Sequence, residues 1–320
     1  MLAVACSPVV ALSGPAVAAP GIAEAGLIAR DGARLPLRIW RPADGQAPRA
    51  ILIALHGFND YRNFFAAAGS FFAARGIQSY AYDQRGFGAA PHPGLWPGEA
   101  ALVDDLKAAV HAARERHPGV PLYLLGESMG AAVIMTAMAD PQPPRVDGVI
   151  LVAPAVWGRA SMPWYQTTAL WLAVHTLPGG QVSGRSLGIK PSDNIEMLRA
   201  LGRDPLVIKQ SRVDAVYGLV NLMDRAMASA PSVRAPALIL YGERDELIPP
   251  AAVREMVSRL PDAAGAGPGG RQRVVAYPDG YHMLTRDLQA ETVLKDIAAW
   301  IADPEAPLPS GAEEEGAAAH

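Results

Sequence analysis

Leu122-Tyr123-Leu124-Leu125-Gly126-Glu127-Ser128-Met129-Gly130, followed by the small, apolar run Ala131 to Ala139, decides the fold. Leu122 to Leu125 reads as a strand buried on both faces, and the run after Gly130 reads as a helix. Between them stands G-x-S-x-G. Alone, that pattern turns up by chance. Between a buried strand and a helix it describes a sharp turn that holds a serine hydroxyl exposed on strained backbone. Side chains at Gly126 or Gly130 would collide with neighbouring backbone. The helix after Ser128 aims its N–H groups and dipole at the place where a negative oxygen would form. The plainer reading is a serine at an ordinary helix N-cap, and the buried strand before it argues against that.

Working outward, the same alternation of strand and helix repeats. Ala25 to Trp40 reads as a hairpin around Asp31-Gly32, a favoured tight-turn pair. Ala50 to Leu55, Gln78 to Tyr82, Val149 to Val152, Ala237 to Tyr241 and Arg273 to Tyr277 read as further strands. Helical patterns cover Phe64 to Arg75, Glu99 to Arg116 and Asp287 to Ile301. This order predicts an α/β fold: a mainly parallel sheet with helices on both faces. Residues 155–232 interrupt the rhythm while both flanks belong to one sheet, so they form an insertion above it. The predicted organisation is an arm (1–24), a core in two parts (25–154 and 233–302), the inserted cap (155–232) and a disordered tail (303–320) rich in Pro, Gly, Ala and Glu.

Composition fits this frame. Half of the 320 residues are hydrophobic, enough for a large core, and the net charge of −3 with scattered basic residues suggests no nucleic-acid surface. Small, weakly charged substrates are the expected partners. Cys6 is the single cysteine, so no internal disulfide can form. Met1 to Pro20 is small and apolar, too short and too often broken by proline and glycine to span a membrane. Three readings of it stay open: an export-signal remnant, a lipid-bearing Cys6 in a bacterial envelope, or a disordered arm of a cytoplasmic protein.

A serine hydroxyl needs a base to take its proton. Of the seven histidines, His320 lies in the tail, His117 in a helix-ending turn, and His111 on the polar side of a helix. His92 stands between prolines, His175 in the insertion, and His56 too early, because in this order of elements the base arrives last. His282 follows the final strand in Pro278-Asp279-Gly280-Tyr281-His282 and is the placed candidate. Asp245, after the strand Ala237 to Tyr241, completes the chain order Ser, Asp, His and would orient the imidazole. Glu243 and Glu246 are its competitors. His56-Gly57-Phe58 closes the first buried strand, where a second oxyanion donor would come from; the backbone N–H groups of Phe58 and Met129 are assigned to it.

These stretches resemble the monoacylglycerol lipase and lysophospholipase branch (serine aminopeptidase-like) of the α/β-hydrolases. The resemblance rests on HGFND (56–60), YDQRGFG (82–88), GESMG (126–130), RDPL (203–206), YGERDELIP (241–249) and GYHMLTRD (280–287), and covers about residues 25 to 302. It implies an α/β-hydrolase fold and a serine esterase or lipase acting on a single acyl chain, with no cofactor or metal. It also implies Ser128 as nucleophile, His282 as base, Asp245 as its orienter, and Phe58 and Met129 as oxyanion donors. Phe87 and an Ala/Gly-rich insert, Ala263 to Gly270, depart from the family pattern. The cap sequence is the chain's own, so the substrate is not carried over.

Within the insertion, Trp157 to Leu177 is apolar nearly all round, as a helix buried against both the core and a bound lipid would be. Trp157, Trp164 and Trp171 are therefore candidate substrate contacts, with ordinary packing of the cap as the alternative. Asp193, with Glu196 three positions on, marks a helix start, and Arg203-Asp204-Pro205 its end. Such caps line the acyl pocket and can open at a lipid surface. The expected chemistry is ester hydrolysis through an acyl-enzyme. An acyltransferase or thioesterase would use the same triad, and a non-catalytic lipid-binding protein would have no need to keep all three residues. A dehalogenase or epoxide hydrolase would carry a carboxylate at position 128, and no G-x-G-x-x-G follows the first parallel strand to hold a dinucleotide. Nothing in the sequence sets the oligomeric state.

Overall fold

A computed structural model describes residues 7–23, 26–43, 46–184, 188–262 and 270–313. Cys6, His320 and residues 263–269 of the insert lie outside them. The chain opens with three short or edge strands, β1 (Gly21–Ala23), β2 (Gly26–Ile28) and β3 (Arg34–Trp40), paired antiparallel in that order. β4 (Ala50–Leu55), α1 (Ala66–Ala73), β5 (Ile77–Tyr82), α2 (Glu99–Arg116), β6 (Leu122–Glu127), α3 (Met129–Met138) and β7 (Gly148–Val152) follow. The insertion contributes α4 (Trp164–Thr176), β8 (Gln181–Val182), α5 (Ile195–Arg203), β9 (Ser211–Arg212) and α6 (Val213–Ser229). The sheet then resumes with β10 (Ala237–Gly242), α7 (Pro250–Ser258), β11 (Gln272–Tyr277) and α8 (Ala290–Ala302).

Nine strands form one sheet in the order β1-β2-β3-β5-β4-β6-β7-β10-β11. From β5 to β11 every neighbouring pair is parallel. The continuous apolar strands are explained by burial on both sides. In β4, Ile51, Ile53 and Leu55 join the core on one face, shared with α2, α3, α6 and α7. Ala50, Leu52 and Ala54 join the other, shared with α1 and α8. That is the period-two alternation of a strand, made invisible in the sequence because both faces are greasy.

Three expectations are corrected. The arm is not disordered over its described part: Val10 pairs with Trp96, and Val17 and Ala18 donate backbone bonds to the Arg30 carbonyl. The tail is likewise placed as far as Glu313. Arg273 of β11 is wholly buried, pairs with Glu313 at 2.7 Å and donates to the carbonyls of Pro304 and Ala306. A buried guanidinium needs such partners, and composition could not reveal that the tail supplies them. The third correction concerns Trp157 to Leu177. Only 164–176 is helical, and Val174 is the one buried residue of that helix.

Candidate active site

The turn after β6 is built as its glycines require. Ser128 sits at φ 54°, ψ −113°, outside the regions that L residues prefer. A Cβ on Gly126 would stand 2.3 Å from the Ala131 nitrogen, and one on Gly130 would stand 2.3 Å from the Leu55 carbonyl oxygen. Both glycines therefore let β6, α3 and β4 close tightly around the serine. Ser128 donates its N–H to Val152 and its carbonyl receives Ala155 N–H, which anchors the turn on both sides. Met129 follows as the first residue of α3 and is fully buried.

His282 and Asp245 arrive from neighbouring loops at the same edge of the sheet. The imidazole Nδ1 lies 2.7 Å from Asp245 Oδ2, and both side chains are buried. The other carboxylate oxygen accepts the N–H groups of Leu247 and Ile248 at 2.8 and 2.9 Å, which fixes the acid's orientation. Glu243 faces away at the surface toward Arg254, and Glu246 accepts the Lys190 N–H. Burial alone would make His282 less basic. The Asp245 carboxylate outweighs it, with Glu127 adding, and the imidazole is left more basic than usual.

Ser128 and His282 line one cavity of about 240 Å³. Its wall near the serine is the turn Gly57, Phe58, Asn59 and Asp60, with Glu127 and Arg286; its apolar wall is Leu219, Met223, Leu247, Ile248 and Met283. The turn is held from behind by His56. Its Nε2 accepts the Gln84 N–H at 2.9 Å and its Nδ1 lies 2.8 Å from the Gly57 carbonyl. Burial pushes the His56 imidazole toward its neutral form, which matches one donor and one acceptor nitrogen. A second cavity of the same size lies under the arm, where the Arg85 guanidinium is already paired with Asp31 and Asp105.

The three tryptophans are not in the catalytic cavity. Trp157 packs against the core, Trp164 is 77% exposed and Trp171 is 54% exposed. Leu219 and Met223 of α6 stand where the cap residues were expected. α6 packs its Ala215, Leu222 and Ala226 into the core, so its period of apolar residues signalled packing and hid the two that reach the cavity. The α5 cap is Asn194, whose side chain accepts the Met197 N–H, while Asp193 accepts Leu288 N–H instead.

Sheet order, the insertion after β7 and the serine turn define an α/β-hydrolase-fold serine hydrolase. The chain belongs to the serine aminopeptidase, S33, family, which it matches over residues 46–289. It is 25% identical over 282 residues to the monoacylglycerol lipase of Mycolicibacterium smegmatis, covering 84% of this chain and 93% of that protein. It is 26% identical over 287 residues to the monoglyceride lipase of Rattus norvegicus, covering 86% and 89%. In fold it resembles a soluble variant of the monoglyceride lipase of Saccharomyces cerevisiae, solved with a substrate analogue. The TM-score is 0.70, at 20% identity and with 93% and 98% of the two chains covered. The chain is a carboxylic-ester hydrolase.

Proposed function

We infer that the enzyme hydrolyses esters of a single acyl chain, of the monoacylglycerol type, through an acyl-enzyme on Ser128. In this reading Ser128 Oγ bonds to the acyl carbon while its proton passes to His282 Nε2. The carbonyl oxygen takes the negative charge and is met by the N–H groups of Phe58 and Met129. The carbon–alcohol bond then breaks and the alcohol leaves with the proton from His282. Water enters, gives a proton to His282, and releases the acid and Ser128. Asp245 keeps Nδ1–H oriented and stabilises the imidazolium.

The observation that carries this reading is the shared cavity: a serine on strained backbone and an Asp245-bonded histidine lie in one lining with the apolar side chains of Leu219, Met223, Leu247, Ile248 and Met283. An apolar wall suits an alkyl chain, each buried methylene being worth about 0.8 kcal/mol. Aminopeptidase chemistry would want a carboxylate open to a substrate ammonium, and the two carboxylates lining the cavity, Asp60 and Glu127, are both held by Arg286. The apolar residues that α4 exposes, Trp164, Tyr165, Trp171 and Leu172, support contact with a lipid surface at that helix. No described helix is long and apolar enough to cross a membrane.

The test is a fluorophosphonate probe with a p-nitrophenyl ester series and a monoacylglycerol panel. Ser128→Ala should lose labelling and ester hydrolysis together, the rate falling on the order of 10⁶-fold. Labelling retained in that variant would overturn the role given to Ser128. Lack of turnover of every monoacylglycerol by an enzyme active on p-nitrophenyl esters would overturn the substrate class.

A further inference from the structure

Arg286 lies four residues after His282, and its side chain is only 8% exposed in the cavity wall. A cation there needs counter-charges, and it has two, one from the end of β6 and one from the turn after β4. Nη2 donates to Glu127 Oε1 at 2.5 Å, and Nη1 donates to Asp60 Oδ2 at 2.7 Å. Glu127 is the last residue of β6, directly before Ser128, and its second oxygen accepts from Thr285 Oγ1 at 2.8 Å. Asp60 closes the turn that carries Phe58, and its other oxygen accepts the Tyr61 N–H at 2.8 Å. One guanidinium thus bonds the strand end of the nucleophile and the oxyanion turn from the loop of the base.

We propose that Arg286, Glu127 and Asp60 form a positioning set for ester hydrolysis, holding Ser128, Phe58 and His282 in their mutual placement without touching the reacting atoms. The proposal rests on the roles assigned above to those three residues. Three buried charges add little net stability over apolar side chains of the same shape. What they do supply is direction: each bond is made along a fixed line from a planar fork. A displacement of about 1 Å between reacting groups costs on the order of 10²-fold in rate. The aliphatic wall that would hold the acyl chain is formed by other residues, so loss of the set should appear in kcat and leave KM alone.

The same set borders the base electrostatically. The charged groups facing His282 are Asp245 from the loop after β10, Glu127 from β6, and Arg286 on its own loop. Asp60 stands one contact further out through Arg286, and Asp287 through the Tyr281 N–H. Glu127 favours the imidazolium and Arg286 opposes it. Glu127→Gln should therefore move the acid limb of the pH–rate profile to lower pH.

The experiment uses the full chain and a soluble short-chain p-nitrophenyl ester. Arg286→Met alone would strand two buried carboxylates, so it is replaced by the neutral triple variant Asp60→Asn/Glu127→Gln/Arg286→Met. Arg286→Lys, which keeps the charge but loses the fork, accompanies it. The expected result is a kcat lowered on the order of 10²-fold in the triple variant and less in Arg286→Lys. KM should stay within about threefold, and the melting temperature of Arg286→Lys close to that of the parent. Parental kcat in a folded triple variant overturns the proposal, as does a loss confined to KM. Should the triple variant fail to fold, Arg286→Lys decides on the same two constants. Ser128→Ala runs in parallel: labelling retained there overturns the triad reading. Labelling lost there, with parental kcat in the positioning variants, overturns this proposal alone.

Discussion

Two regions of the enzyme are rich in meaning for the substrate and are built in opposite ways. At the ends of β4, β6, β10 and β11, the functional side chains are buried and tied to named partners. Asp245 makes three bonds, His56 uses both ring nitrogens, and Arg286 ties its loop to the end of β6 and to the turn after β4. α4 presents Trp164, Tyr165, Trp171 and Leu172 outward, and buries only Val174. The first region is specified by directional contacts, which tolerate few alternatives. The second is specified only by hydrophobicity, which has no direction, so it can meet a lipid, another protein surface or its own core with equal ease.

The difference can be broken or sharpened by substitution. The largest effect after loss of the nucleophile is expected at Asp245. Asp245→Asn should lower kcat on the order of 10⁴-fold, because the amide cannot hold the required tautomer. Glu243→Gln and Glu246→Gln should stay within about threefold, since neither bonds the imidazole. A crippled Glu246→Gln with a mild Asp245→Asn would refute the assignment of the acid.

Next comes pH. The base must be neutral to accept a proton, and the folded environment raises its pKa above the ordinary imidazole value. Activity is therefore full at alkaline pH and is lost, about tenfold per pH unit, as pH falls through that raised value. A kcat/KM profile whose acid limb lies below the ordinary value of 6.5 would contradict the balance of burial against Asp245 described here.

Smaller effects separate the two walls that could touch the acyl chain. Leu219→Ala and Met223→Ala should raise KM increasingly with ester chain length, by about 1 to 2 kcal/mol for the longest chains. Trp164→Ser and Trp171→Ser should leave soluble esters and the melting temperature nearly unchanged, because those rings bury little. Their loss should appear only when the substrate is presented in vesicles. A KM that climbs with chain length for soluble esters in the tryptophan variants would put the acyl chain under α4 after all.

Much of this was legible in sequence wherever a backbone constraint demanded a residue type. Gly126 and Gly130 report close approach, the strand before Ser128 reports the turn, and the order of Asp245 and His282 follows from the succession of strands. What was missed depended on which surfaces meet. Leu219 and Met223 belong to a helix whose apolar period is satisfied mostly by packing on α3. Arg286 and Glu127 lie 159 positions apart, and no spacing rule connects them. One signal was available: an acidic residue at the end of a strand buried on both faces cannot remain without a cation. Glu127 posed that question, and only the meeting of β6 with two loops answers it. α4 is hard to read for a different reason, because a largely apolar helix states that something will cover it without stating what.

The pairing of Arg273 with Glu313 has a consequence for how the chain is made. The counter-ion follows its cation by 40 residues, and β11 is the last strand of the sheet. During synthesis the arginine leaves the ribosome well before its partner does. Until Glu313 emerges, Arg273 lacks the carboxylate that pairs with it in the finished fold, and a buried guanidinium without one is costly. Arg286, the cation that Glu127 at the end of β6 awaits, lies 159 positions further on but still ahead of Glu313. A released chain ending just before Glu313 should accordingly show β11 open to proteolysis while β4 to β10 are protected. Equal protection of β11 in that chain would show that its docking does not wait for Glu313.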